Sequence, residues 1–161
     1  MKRVSTFLQD AWQAFQDLTD DISVCNHPYF GVCHREADED DKHLFWEARV
    51  RIPFSDTFIH VTVPGVDAGP LEEDAEFCER MLANLPAIYR ECQPAIDVAL
   101  KTQGLPALPS KPNDCVLEAV TLPKPGAPEK SWELCLWLGA NEHYAIVQFQ
   151  NGAVHKVFIE P

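Results

Sequence analysis

The chain has 161 residues and a mass of 18.1 kDa, the size of a single domain with a substantial buried core. Apolar residues make up 46% and charged residues 24%, so the composition excludes a wholly disordered chain. The net charge of -12 disfavours nucleic acid and anionic membranes as partners and favours a basic protein. No apolar run is long enough to span a membrane, and Gln9 and Asp10 interrupt the signal-like start; we therefore expect a cytoplasmic protein.

The first segment has the apolar periodicity of an amphipathic helix. Its apolar side chains recur every three or four residues and so fall on one face: Val4, Phe7, Leu8, Ala11, Trp12, Phe15, Leu18 and Ile22. We predict an N-terminal helix whose apolar face packs against the core. Docking of this face on a partner is the alternative.

A strand-rich block comes next. Residues 29–33 form a short apolar segment, and the acidic run 36–41 after it has to be solvated. Apolar and polar residues alternate along 44–52, and a second strand pattern at 58–63 follows the turn at 53–57. This arrangement predicts an antiparallel hairpin with one buried face.

The middle of the chain is predicted to be helical. The first helix begins after Pro70, and its first turns carry acidic side chains, which the helix dipole favours: Glu72, Glu73, Asp74 and Glu76. A second helix is expected to begin at Pro86, to kink or restart at Pro94 and to end at Gly104. The proline-rich segment 105–114 is expected to be a stiff connector.

The C-terminal block has the clearest strand pattern. Apolar and polar residues alternate along 132–138, and a further apolar strand follows at 143–149. Asn151-Gly152 is a strong turn signal before the last strand at 153–160. These residues predict a three-stranded meander.

Together these elements predict a single α+β domain over residues 1–161. It comprises antiparallel sheets, an N-terminal helix, a central helical segment and a C-terminal three-stranded meander. Both strand blocks contain a Trp-Glu strand, at Trp46-Glu47 and at Trp132-Glu133. This likeness is compatible with an internal duplication and also with chance.

No motif in the chain has the spacing that a known reaction demands. A P-loop, a dinucleotide-binding glycine pattern, HExxH and a nucleophile elbow are all absent from the sequence. Glu47 and Glu133 offer a pair of carboxylates for acid–base work, but outward-facing glutamates are common on half-exposed strands. Arg49 and Arg51 beside Phe45 resemble a small nucleic-acid platform, yet pairing with acidic groups suits this net charge better. We predict no catalytic residue and no cofactor.

The six cysteines are expected to be free thiols in a reducing cytoplasm, several of them in the core. The nearest approach to a metal cluster has a spacing that fits no zinc motif: Cys25, His27, Cys33 and His34, with His43 further on. We therefore predict no metal site.

Several short features together resemble a loose group of small bacterial α+β proteins that includes immunity proteins of polymorphic toxin and type VI secretion systems. The features are Phe30-Gly31, Trp46-Glu47, Pro64-Gly65, the helix segment 81–85, Trp132-Glu133 and Asn151-Gly152. The resemblance covers roughly residues 28–160. It implies an α+β fold and a cytoplasmic protein that binds one cognate toxin and blocks its active site.

The expected partner is a basic toxin, because acidic side chains can mimic the phosphates of a nuclease substrate. The candidate partner-binding residues are Glu36, Asp38, Glu39, Asp40, Asp41, Glu72, Glu73, Asp74 and Glu76. Solvated surface charge and helix-start charge are the alternative interpretation of both groups. A non-catalytic adaptor or ligand-binding domain is the alternative function, and an enzyme without a recognisable motif is a further one.

Overall fold

The computed structural model describes residues 24–37, 44–64, 68–108, 115–124 and 130–161. The predicted N-terminal helix lies outside these residues. The described part contains eight strands and two helices. Neither helix combines the length and the hydropathy that a bilayer crossing requires.

The strands form one mixed sheet in the order in which they occur along the chain. In chain order the elements are β1 (Val24–His27), β2 (Gly31–Ala37), β3 (Leu44–Arg51), β4 (Phe58–Pro64), α1 (Glu72–Ala83), α2 (Leu85–Thr102), β5 (Cys115–Thr121), β6 (Ser131–Leu138), β7 (His143–Gln150) and β8 (Ala153–Glu160). Neighbouring strands are antiparallel except β4 and β5, which are parallel.

The parallel pair lies in the middle of the sheet and joins two four-stranded meanders. Val61 lies opposite Val120, and the amide of Leu122 donates a hydrogen bond of 2.9 Å to the carbonyl of Thr62. Parallel strands cannot be joined by a tight turn, and the chain between β4 and β5 contains both helices. The helices therefore serve as the crossover connection.

One face of the sheet packs against α1 and α2 and forms the core with them. Leu134 and Leu136 of β6 are fully buried, as is Leu100 of α2. At the α1 end of the core, the rings of Phe77 and Trp132 meet edge to face with centroids 5.4 Å apart. We call the opposite face of the sheet the open face.

The α+β class is confirmed, but the prediction of a three-stranded C-terminal meander is wrong. The meander has four strands, because β5 pairs antiparallel with β6. The register shifts between Leu117 and Ala119, so the β5 sequence does not alternate regularly and gives a weak strand pattern. The short edge strand β1 was also not predicted.

Local signals account for most helix ends and turns. Pro86 lies in the first turn of α2, as expected, but α2 continues through Pro94 without a break in the helix. Asn151 and Gly152 both have positive φ, 52° and 84°, which fits the tight turn between β7 and β8.

One hairpin of each meander, β3–β4 in the first and β6–β7 in the second, has the same register. Trp46 lies opposite Val63 in the β3–β4 hairpin, and Trp132 lies opposite Phe149 in the β6–β7 hairpin. A shift of 86 residues takes Trp46 to Trp132, and the same shift takes Val63 to Phe149. This equality supports the duplication hypothesis.

The separation of a buried and an open face can be tested by truncating one residue on each. Leu136→Ala removes a fully buried side chain, so it should lower the free energy of unfolding by about 2–5 kcal/mol. Val116→Ala, on the open face and 38% exposed, should change it by less than about 1 kcal/mol. Urea unfolding followed by circular dichroism measures both. Equal losses would contradict the assignment of the faces.

Candidate functional site

A continuous row of side chains crosses the open face from one edge of the sheet to the other. Each residue of the row lies directly opposite the next on the neighbouring strand: Val24, His34, Glu47, Thr62, Thr121, Glu133, Gln148 and Lys156. At the usual strand spacing the row is about 34 Å long. All its members except Val24 are polar.

Exposed apolar side chains lie beside this row and, at Val24, within it. Among the described residues seven large hydrophobic side chains are exposed, and five of them lie on the open face. These five are Val24, Val32, Phe58, Val116 and Tyr144. Exposed apolar groups gathered on one surface, among polar neighbours, are typical of a binding surface.

Aromatic residues are concentrated on the open face of the C-terminal meander. Trp137 and Tyr144 are cross-strand neighbours with ring centroids 4.8 Å apart. The ammonium group of Lys156 lies 4.1 Å from the ring centroid of Phe158, a cation–π contact. Burial raises the pKa of the nearby Cys135 thiol, and the carboxylates around it add to the effect. We call Trp137, Tyr144, Ile146 and Phe158 the aromatic patch.

The N-terminal meander has a more basic open face. A surface depression of about 450 Å³ is lined in part by His34, Glu47, Arg49 and His60. His34 lies opposite Glu47, and Arg49 lies opposite His60. The Arg49 guanidinium also lies 5.6 Å from the ring centroid of Phe58. Such a depression offers two imidazoles and a guanidinium to an anionic group.

The structure does not bring Glu47 and Glu133 together. They stand on β3 and β6, three strand spacings apart, which is about 14 Å. Paired catalytic carboxylates in glycosidases, for comparison, are about 5–10 Å apart. Glu133 instead accepts a hydrogen bond of 2.9 Å from the Gln148 side chain.

Arg51 pairs with an acidic residue, as predicted from the net charge of the chain. Its Nη2 lies 2.5 Å from Asp56 Oδ1 in the turn after β3. Both groups are exposed, so we expect the ion pair to contribute little to stability.

The predicted partner-binding residues fall in two separate places. Glu36 is exposed at the end of β2, whereas Asp38, Glu39, Asp40 and Asp41 lie outside the described residues. Glu72, Glu73 and Glu76 are exposed in the first turns of α1. Glu76 lies 3.6 Å from Arg80 one turn later. We call Glu72, Glu73 and Glu76 the α1 acidic group.

Asp74 differs from its acidic neighbours because its side chain turns inward. It is buried, with 4% of its surface exposed, and its Oδ2 accepts a hydrogen bond of 2.7 Å from the amide of Leu71. Burial raises the pKa of the Asp74 carboxyl, while the hydrogen bond from Leu71 opposes that shift. The carboxylate therefore caps the first turn of α1 and is not presented to a partner.

Of the cysteine and histidine residues near the N-terminus, the structure describes Cys25, His27, Cys33 and His34. They do not all lie on one face of the β1–β2 hairpin. Within the described ranges, no group of three His, Cys, Asp or Glu side chains is arranged to hold a metal ion. Cys33 and His34 point to opposite faces of β2, and His27 Nδ1 accepts a hydrogen bond from the amide of Tyr29. His43 lies outside the described residues.

Comparison with models of protein families, with curated proteins and with solved structures finds no match to this chain. The resemblance to immunity proteins therefore remains a prediction.

The sequence contained a partial signal for the open face. Alternation along β3 and β6 separates Arg49 and Trp137 from the buried residues of the same strands. It could not show that these two strands belong to one sheet. The full row follows only once the β4–β5 pairing is known, whereas the aromatic patch is formed within the C-terminal meander.

The capping role of Asp74 predicts an effect on stability. Asp74→Ala leaves the Leu71 amide without its acceptor and should lower the free energy of unfolding by about 1 kcal/mol at neutral pH. Asp74→Asn keeps an acceptor oxygen without the buried charge and should lower the free energy of unfolding by less than Asp74→Ala does. Glu73→Ala, at an exposed position, is the control and should have little effect.

The pH dependence of the same variants tests the raised pKa. A carboxyl whose pKa is higher in the folded state contributes most at low pH and loses that contribution as pH rises. The stability of the unmodified protein relative to Asp74→Asn should therefore fall as pH rises above about 3.8. Urea unfolding at a series of pH values measures this difference, and a constant difference would contradict the shift.

Proposed function

We propose that this protein is a non-catalytic binding domain that acts as an immunity protein. It binds a basic cognate toxin in the cytoplasm and neutralises it by covering the toxin's active site. The observation that carries the proposal is the gathering of exposed apolar side chains on the open face of a chain with a net charge of -12. Apolar contacts there supply affinity, while the negative charge selects basic partners.

The size of the open face supports a protein partner. The row is about 34 Å long, and strands of seven residues extend for about 24 Å, so the face covers about 800 Å². A stable protein–protein interface of standard size buries about 800 Å² on each partner. One partner could therefore be held by this face alone.

The composition of the open face supports the same proposal. Aromatic residues and arginine are enriched at protein interfaces, and both are present here in Trp137, Tyr144 and Arg49. The α1 acidic group is displayed on the helical side of the sheet, where it acts at longer range. Exposed charges of this kind accelerate encounter with an oppositely charged protein and lose their effect in salt.

The first test is binding to the product of the adjacent upstream gene, the expected toxin. The two purified proteins should form a one-to-one complex on size exclusion with light scattering, and the complex should lack toxin activity. Its association rate should fall by about tenfold or more as salt rises through the physiological range. Failure of the two proteins to bind would overturn the proposal.

The contribution of the α1 acidic group can be separated from that of net charge. Glu72→Gln with Glu73→Gln should slow association by about threefold and leave dissociation nearly unchanged. Glu91→Gln with Glu142→Gln removes the same charge elsewhere on the exposed surface and is the matched control. Equal effects of the two double variants would show that only net charge matters.

The open face is tested with two exposed valines. Val32 lies on the open face and is 53% exposed, whereas Val98 lies on α2 and is 66% exposed. Val32→Lys should weaken the complex by at least about tenfold, because it replaces an apolar contact with a charged side chain that would have to lose its water. Val98→Lys should leave the dissociation constant unchanged. The reverse order of effects would place the toxin on the helical side.

A ligand-binding domain is the second candidate, and the depression beside β3 favours it. Its volume of about 450 Å³ is within the range of small-ligand sites, and His34, Arg49 and His60 suit an anion. If the neighbouring gene product does not bind, this depression is the place to examine.

A further inference from the structure

The β1–β2 hairpin places two cysteines directly opposite each other. Cys25 of β1 and Cys33 of β2 are register partners in an antiparallel pair, so both side chains lie on the same face. The Cα atoms of such partners are about 4.5–5.5 Å apart. A disulfide requires Cα atoms about 4.4–6.8 Å apart, so the backbone already has the spacing for one.

The two sulfur atoms are also close enough to influence each other. Besides burial, the neighbouring Cys25 thiol contributes to the raised pKa of the Cys33 thiol, while Cys33 Sγ donates a hydrogen bond of 3.6 Å to the carbonyl of Gly31. On another side, Cys25 Sγ lies against Gly69, where a Cβ atom would come within 3.0 Å of it. The absence of a side chain at Gly69 thus leaves room for the Cys25 sulfur.

The surroundings of the two thiols differ. Cys25 is partly exposed, whereas Cys33 is completely buried. We therefore expect a small disulfide in solution to react with Cys25 before Cys33.

We propose that Cys25 and Cys33 form a reversible disulfide by exchange with a low-molecular-weight disulfide such as oxidised glutathione. The Cys25 thiolate attacks one glutathione sulfur, which breaks the glutathione disulfide and releases one glutathione thiolate. Cys33 then gives up its proton and attacks Cys25 Sγ, which breaks the mixed disulfide and releases the second glutathione as a thiolate that takes up a proton. The two protein thiols are oxidised, and one glutathione disulfide is reduced to two glutathione molecules.

The second step is expected to be slow at neutral pH. Burial, together with the neighbouring Cys25, raises the pKa of the Cys33 thiol to about 12, so little thiolate is present. The closing rate should therefore increase with pH across the range from 7 to 9. This inference does not depend on the proposed function.

The position of the other cysteines predicts that the reaction is selective. In the described strands, Cys25 and Cys33 are the one pair of cysteines in direct register. Cys92 and Cys115 lie close enough to influence each other electrostatically, but Cys92 is completely buried on α2. Cys78 is completely buried on α1. Oxidation should therefore begin at Cys25.

The test uses the full chain with all six cysteines, folded and treated with excess oxidised glutathione. The reaction is quenched with acid and the remaining thiols are alkylated. Cleavage after Tyr29 or Phe30 separates the two cysteines, so that mass spectrometry detects their disulfide as a linked peptide pair. We expect this pair to exceed any other linked pair by about tenfold. Treatment in urea, where the cysteines should pair without this preference, is the control.

Single variants test the order of the two steps. Cys33→Ser should stop with glutathione attached to Cys25, Cys25→Ser should prevent oxidation at Cys33, and Cys135→Ser should leave the pair unchanged. A dominant Cys92–Cys115 link in the folded protein, or no linked pair at all, would overturn the proposal. The unmodified protein gives this result even if a variant does not fold.

Discussion

The parallel pairing of β4 with β5 is the constraint on which the rest of the fold depends. Each meander is built from hairpins between neighbours in the sequence, and neither needs the other to set its own register. Joining them through parallel strands requires a long connection, and α1 with α2 provides it. Both helices pack on the same face of the sheet. The open face is therefore a consequence of the crossover, and its side chains form one surface because the sheet is continuous.

The open face and the α1 acidic group belong to opposite sides of the molecule. In the proposed complex, the open face makes the short-range contacts with a partner. The carboxylates of the α1 acidic group, on the other side of the molecule, act on an approaching partner only through their electrostatic field. At physiological salt this field decays over about 8 Å. The two surfaces should accordingly affect different quantities, with the open face governing dissociation and the charges governing association.

Much of the secondary structure could be predicted because its signals are local. Alternation along β3 and β6, acidic residues at the start of α1 and the Asn151-Gly152 turn each act within a few residues. The strand β5 was missed because the irregularity near Glu118 interrupts its alternation.

The candidate site was harder to predict because its geometry is not local. The composition of α1 indicated four equivalent acidic residues, but the third helical position directs Asp74 back to the amide of Leu71. The polar row depends on a register between β4 and β5, which are separated in the sequence by about 50 residues and by both described helices. The contact between Cys25 and Cys33 depends on how many residues the β1–β2 turn contains.

The strand order also bears on how the chain folds. Six of the seven strand pairings join neighbours connected by short segments, which close quickly because little chain entropy is lost. Only the pairing of β4 with β5 requires that the intervening segment of about 50 residues become ordered first. We expect the hairpins of each meander to form early and the crossover to set the overall folding rate. Before the crossover is complete, the two meanders are separate half-sheets, with β4 and β5 as exposed edge strands. Such edges are sites of unwanted pairing between chains, and we expect them to stay exposed until α1 and α2 dock and β4 pairs with β5.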